Sequence, residues 1–186
     1  NRSHYLVCDR EFTFRTVPKE GTTWIVERPF KTLEDLYEVS LEPLSESEIL
    51  NQFIPAMEKN VEAHRRFGVA YVFCGSVIFD QLFWYLSWPL FIRGLYQAKD
   101  EIRKLLDRFT FVEEVLARGW AGFDPPAYMY GDDIAYKHGL MISPVFLREE
   151  WLPRVKRVIH PIKKRRAKAL FHSDGNLWGF IDDLIE

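Results

Sequence analysis

The sequence predicts an α/β protein: a parallel sheet covered by helices. Three observations carry this. From residue 69 onward, short apolar runs alternate with longer stretches whose apolar residues recur at helical spacing. Each apolar run is short and continuous, as in a strand buried on both faces. Each ends in glycine or ionisable residues, at "FCGS", "YGDD" and "FHSDGN", the kind of end where ligands bind in parallel-sheet folds.

The composition supports a packed domain. The chain has 186 residues, 47% hydrophobic and 28% charged, enough for one core. A net charge of -2 gives no field that would draw the whole molecule to nucleic acid. Cys8 and Cys74 form no CxxC pair and no disulfide framework, which fits a reducing, cytoplasmic setting. The opening "NRSHYLVCDR" is polar, unlike a signal peptide. The chain starts without Met and ends at "FIDDLIE" inside an apparent helix, so a fragment of a longer domain is expected. The aromatic stretch "FDQLFWYLSWPLFIRGLY" is interrupted by Asp80, Gln81, Pro89 and Arg93. That argues for a buried crossover helix or pocket wall rather than a membrane span, and no membrane partner is expected.

In chain order, "EFTFRTV" alternates polar and apolar residues, "PKEGT" is a turn and "TWIVERPF" is a second strand, together an antiparallel hairpin. "KTLEDLYEV" reads as a short helix. Ser45 with Glu48 forms a capping box ahead of Ile49, Leu50, Phe53, Met57 and Val61 at helical spacing, with Pro55 expected to kink or divide the helix. "VAYVFCG" reads as a fully buried parallel strand, with Cys74 an inert core residue. Ile102, Leu105, Leu106, Phe109, Val112 and Leu116 mark one face of a helix from 99 to 120. "AYMYGDD" is the second strand. Ser143 and Pro144 open the next helix, whose buried face holds Leu147, Trp151, Val155, Val158 and Ile162, with a kink expected at Pro153 or Pro161. "AKALFHSDG" is the third strand, and Asn176 caps the final helix. The domain reading is a hairpin-containing region over 1–44 and an alternating helix/strand portion over 45–186 of one 1–186 domain.

Chemistry is expected where strand ends converge. Asp132, Asp133, His172 and Asp174 could share one mouth although far apart in sequence. Imidazole and carboxylate two residues apart suit zinc or a harder divalent ion. The same groups could transfer protons, or His172 could be a satisfied histidine and Asp174 a turn former before Gly175. Adjacent strand residues face opposite ways, so one of Asp132 and Asp133 points into the mouth, with Asp133 favoured. "KKRRAK" reads as a solvated helix end, and His138 is placed in a loop.

The stretch from "GDDIAYKHGLMISP" to "ALFHSDGN" (131–176) resembles the uroporphyrinogen decarboxylase superfamily, which includes cobalamin-dependent methyltransferases. The matching pieces are a strand ending GDD, an I-S-P helix start, a proline inside that helix and a strand ending H-x-x-G-N. "FCGSVIFDQLFWYLSWPLFIRGLY" with "KDEIRKLLDRF" also looks like this family, whereas the N-terminal third matches poorly. The resemblance implies a (β/α)8 TIM barrel, only part of it in this chain. On the methyltransferase side it implies zinc at His172, with Asp174 standing where that branch has cysteine and the later cysteine not visible. It also implies Asp133 as a catalytic or substrate contact, Asp132 and Asn176 near substrate, and a small methylated substrate. The methyl acceptor would be a corrinoid, its protein, or a thiol, and a homodimer is compatible. The alternative is uroporphyrinogen decarboxylation, a metal-free and cofactor-free lyase reaction of porphyrin biosynthesis, although the arginine motif of that branch is absent here. A non-catalytic binding barrel is the third reading.

Overall fold

The computed structural model describes residues 2–3, 12–17, 22–69, 72–75 and 78–185. The elements run β1 (Arg2–Ser3), β2 (Phe12–Val17), β3 (Thr22–Glu27), α1 (Leu33–Glu38), α2 (Glu46–Arg66), β4 (Val72–Gly75), α3 (Ile78–Tyr85), α4 (Trp88–Gln97) and α5 (Lys99–Ala121). They continue with β5 (Ala127–Gly131), β6 (Ala135–Tyr136), β7 (Gly139–Leu140), α6 (Pro144–Phe146), α7 (Leu152–Lys164), β8 (Lys168–His172) and α8 (Ile181–Ile185). The chain divides into two units, Asn1–Leu44 with Gln81–Phe109, and Ser45–Asp80 with Thr110–Glu186. A boundary at 44/45 is common to this division and to the sequence reading, but residues 81–109 join the N-terminal unit.

In the first unit, β2 and β3 pair antiparallel with Phe14 opposite Ile25, and β1 adds to β2. The expected turn at 18–22 lies outside the described residues except for Thr22. Helix α1 starts at a reciprocal capping box, Thr32 with Asp35. Ser87 caps α4, with Pro89 in its first turn, where a missing N–H is harmless. The aromatic stretch thus forms two helices. Trp84 and Tyr96 are exposed, whereas Tyr85 packs inward, meeting Phe30 at 6.2 Å between ring centres and Phe109 at 5.1 Å. Phe30, Leu36, Leu82, Leu86, Phe91 and Leu105 are fully buried, and each such side chain contributes about 1.5–3 kcal/mol. Gly94 lets Ile102 and Leu36 approach the α4 backbone, since a Cβ there would lie 2.8 Å from Ile102. No helix among the described residues is long and apolar enough to cross a membrane.

The second unit contains the parallel sheet. Its order is β4-β5-β8, both pairs parallel, so the central strand is the second in sequence. The register sets Gly75 beside Tyr130 and Gly131 beside His172, which brings the three strand ends to one end of the sheet. Tyr128 and Tyr130 on β5 are buried, their neighbours half-buried. Gly75 is required where it stands, because a Cβ there would fall 1.8 Å from the Tyr128 hydroxyl. One expectation is corrected here. Of the run read as a fully buried strand, the described strand β4 (Val72–Gly75) is not fully buried: Val72 is 45% exposed and Cys74 is exposed, and among the described residues β4 pairs only with β5.

Helix α2 keeps its Ser45/Glu48 capping box and runs through Pro55 without dividing; Ile49, Met57 and Val61 are buried. Leu50 and Met57 approach Gly119 of α5. The helix expected after Ser143 is broken by a π turn, Leu147–Trp151, between α6 and α7. Its cause is Pro153, which has no N–H to continue the α ladder; the turn widens so that Leu152 N–H donates to the Leu147 carbonyl. Leu147, Trp151, Val155, Val158 and Ile162 are all buried, as their spacing predicts. The β6–β7 hairpin was not legible in the sequence. It turns at Lys137-His138 into Gly139, whose φ of 144° suits glycine.

Candidate functional site

The tails of β5 and β8 are laced together just beyond the sheet. Asp132 N–H donates to the His172 carbonyl at 2.9 Å. Ile134 N–H donates to Ser173 Oγ at 3.1 Å, and Asp174 N–H donates to Asp133 Oδ1 at 2.7 Å. Asn176 N–H donates to the Tyr136 carbonyl at 2.9 Å. Asn176 Oδ1 in turn accepts from Trp178 N–H at 3.1 Å, opening the 3-10 turn that leads into α8. Gly175 makes the crossing possible: its φ is 94°, and a Cβ would lie 2.6 Å from the Ala135 carbonyl carbon and the Tyr136 nitrogen.

This lacing brings Asp133, His172 and Asp174 together. One ligand atom from each lies within 4.8 Å of the others. His172 Nε2 and Asp174 Oδ1 are 3.8 Å apart, with both side chains largely exposed. Ligand atoms around a tetrahedral ion at bond lengths of about 2.1 Å are about 3.4 Å apart, so small side-chain rotations would close this set around an ion. One nitrogen and two carboxylates suit zinc, manganese or a harder divalent cation.

Asp132 takes a different place. It is 1% exposed. Its Oδ2 accepts from Phe79 N–H at 3.1 Å and Trp151 Nε1 at 2.6 Å, and Oδ1 accepts from Asp80 N–H at 3.0 Å. Phe79 and Asp80 are in the first turn of α3, whose early N–H groups have no partner within the helix. Asp132 therefore acts as their cap from another strand and ties in the π turn through Trp151. Burial pushes its pKa well above the usual carboxylate range, while the Trp151 donor pulls it back. Asp132, which the resemblance implies lies near substrate, thus has its side chain buried and both carboxylate oxygens taken by Phe79, Asp80 and Trp151. Asn176 is exposed and its side-chain oxygen accepts from the Trp178 N–H, but the N-cap position is Leu177 rather than Asn176 as the sequence suggests.

Sequence reasoning missed Asp80. Burial first, then the neighbouring Asp133 carboxylate, raise its pKa. The available signal was its position in the first turn of the helix following a strand end. A carboxyl with a raised folded-state pKa binds its proton over a pH range where the unfolded chain has already lost it. Its contribution is therefore full below the unfolded pKa, near 4, and is lost as pH rises through the folded value. Asp80→Asn is expected to gain stability relative to the parent on going from about pH 4 to pH 7, measured by urea unfolding with chelator present. An effect that does not change with pH would contradict this.

No family model matches the chain, and no curated protein matches it.

Proposed function

We propose that this chain contributes to a (β/α)8 barrel of the uroporphyrinogen decarboxylase type. In this reading it is a methyltransferase-like enzyme that moves a methyl group from a small methylated substrate to a corrinoid or a thiol. His172, Asp174 and Asp133 would hold a divalent metal, zinc foremost. The observation that carries the reading is their convergence within 4.8 Å beyond the carboxyl ends of neighbouring parallel strands. The resemblance of residues 131–176 supports the family and the branch. The parallel order β4-β5-β8 is compatible with a barrel segment.

A bound ion would supply Lewis acidity toward the methyl donor. The chain's own residues do the rest. Asp133 is steadied at Oδ1 by the Asp174 N–H, which keeps Oδ2 for a cation. Asp174 offers oxygen where a cysteine would offer sulfur, so the set is harder than a thiolate site and admits manganese beside zinc.

The test is zinc-dependent methylation of free cob(I)alamin from methanol, methylamines or methoxy-aromatics. The expected result is transfer from one of these donors, abolished by chelator and by His172→Ala. Transfer that persists without metal would contradict the metal role. Coproporphyrinogen formation from uroporphyrinogen by the metal-free protein would favour the decarboxylase reading instead.

A further inference from the structure

We propose that Trp151 is a positioning residue of the metal cluster: from the opposite face of the sheet it fixes the backbone that carries Asp133 and His172. The proposal rests on the metal reading of that cluster and adds a residue that is not itself a ligand. Successive side chains of a strand face opposite ways. Just past β5, Asp133 stands in the cluster while Asp132 points back into the core. On β8, His172 stands in the cluster and Phe171 precedes it. The Trp151 indole meets both of the residues that precede a ligand. Its Nε1 donates to Asp132 Oδ2 at 2.6 Å, and its ring meets Phe171 edge-on at 5.6 Å between ring centres. One fully buried side chain thus backs both ligand-bearing strands.

Backbone bonds carry this support to the ligands. Asp132 N–H donates to the His172 carbonyl at 2.9 Å, and Ile134 N–H donates to the Asp132 carbonyl at 2.9 Å. Asp133 is therefore bracketed by bonded residues on both sides. Its Oδ1 accepts from Asp174 N–H at 2.7 Å. A shift of Asp132 moves Asp133 and His172 directly, and Asp174 through Asp133. The indole is aimed by the π turn, Leu147–Trp151, whose wider winding changes the phase of residue 151 relative to a plain α-helix. Phe180 packs against the same indole at 6.2 Å. Such turns recur at functional sites, and here the turn delivers the one donor that reaches the strand behind the ligands. Loss of outer support of this kind lowers metal affinity by about 10–100-fold.

The test is calorimetric zinc titration of the chelator-treated full chain, as parent, Trp151→Phe, Val158→Ala, and Asp132→Ala with and without Trp151→Phe. Val158 is a buried apolar residue of α7 and controls for a general loss of stability. Trp151→Phe is expected to weaken zinc binding by about tenfold or more, and Val158→Ala by less than about twofold. In the Asp132→Ala background Trp151→Phe should weaken zinc no further, because the bond it acts through is gone. In the parent, the Trp151 indole N–H resonance should shift on zinc addition and saturate with the heat, a signature that a merely structural tryptophan would not give. Equally tight zinc binding by parent and Trp151→Phe, or an equal loss in Val158→Ala, would overturn the positioning role and leave the metal reading standing. An indole resonance unmoved at saturation would do the same, and it needs no substituted protein to fold. A parent that binds no zinc would overturn both.

Discussion

Asp132→Ala is expected to lower the stability of the second unit by about 3–5 kcal/mol, because it strands three donors at once, two of them buried and one half-buried. Phe79 N–H, Asp80 N–H and Trp151 Nε1 all end on this carboxylate. Each orphaned buried donor costs about 1–3 kcal/mol, whereas removing donor and acceptor together is far milder. Trp151→Phe should therefore recover part of the loss when combined with Asp132→Ala, so that the double change costs less than the sum of the single changes. Urea unfolding followed by far-UV circular dichroism reads all three variants. A loss below about 1 kcal/mol, or simple additivity, would show that Asp132 does not hold α3 and the π turn as described.

Gly175→Ala is expected to cost about 3 kcal/mol or more, from two sources acting together. The backbone at Gly175 has φ 94°, which side chains with a Cβ rarely adopt, and the new methyl would meet backbone atoms of Ala135 and Tyr136 at 2.6 to 2.7 Å. Backbone cannot swing aside as the end of a long side chain can. Relief must come from moving the loop, which would break the Asn176 bond to Tyr136 and shift Asp174 away from Asp133. Gly139→Ala is the control: φ there is 144°, but nothing lies within 4 Å of the added Cβ. It should cost about 1–3 kcal/mol of backbone strain, less than Gly175→Ala, and leave the cluster in place. Equal losses for the two variants in thermal or urea unfolding would contradict the close-approach argument.

Much of the local architecture was legible in the sequence because its signals are short-range. Ser45 with Glu48, Ser143 with Pro144, and the apolar spacing from Leu147 to Ile162 each act within a turn or two of helix. The alternation of strand residues also separated Asp132 from Asp133. What could not be read was which partners each would meet. The π turn depends on how a helix accommodates Pro153 while keeping Trp151 buried. The capping of α3 by Asp132 joins residues more than fifty positions apart. Cys74 and Val72 read as core because an apolar run looks the same whether or not its side chains end up covered. The third member of the ligand set was sought downstream, yet Asp133 stands within the cluster because the tails of β5 and β8 cross at Gly175.

The most direct measurement is calorimetric titration of the chelator-treated protein with Zn²⁺ and with Mn²⁺, on the parent chain and on His172→Ala, Asp174→Asn and Asp133→Asn. One saturable site of micromolar affinity or better for Zn²⁺ is predicted, with each substitution weakening it by about tenfold or more while circular dichroism stays unchanged. No saturable binding by the parent, or binding that survives all three substitutions, would contradict the assignment of a metal to this cluster.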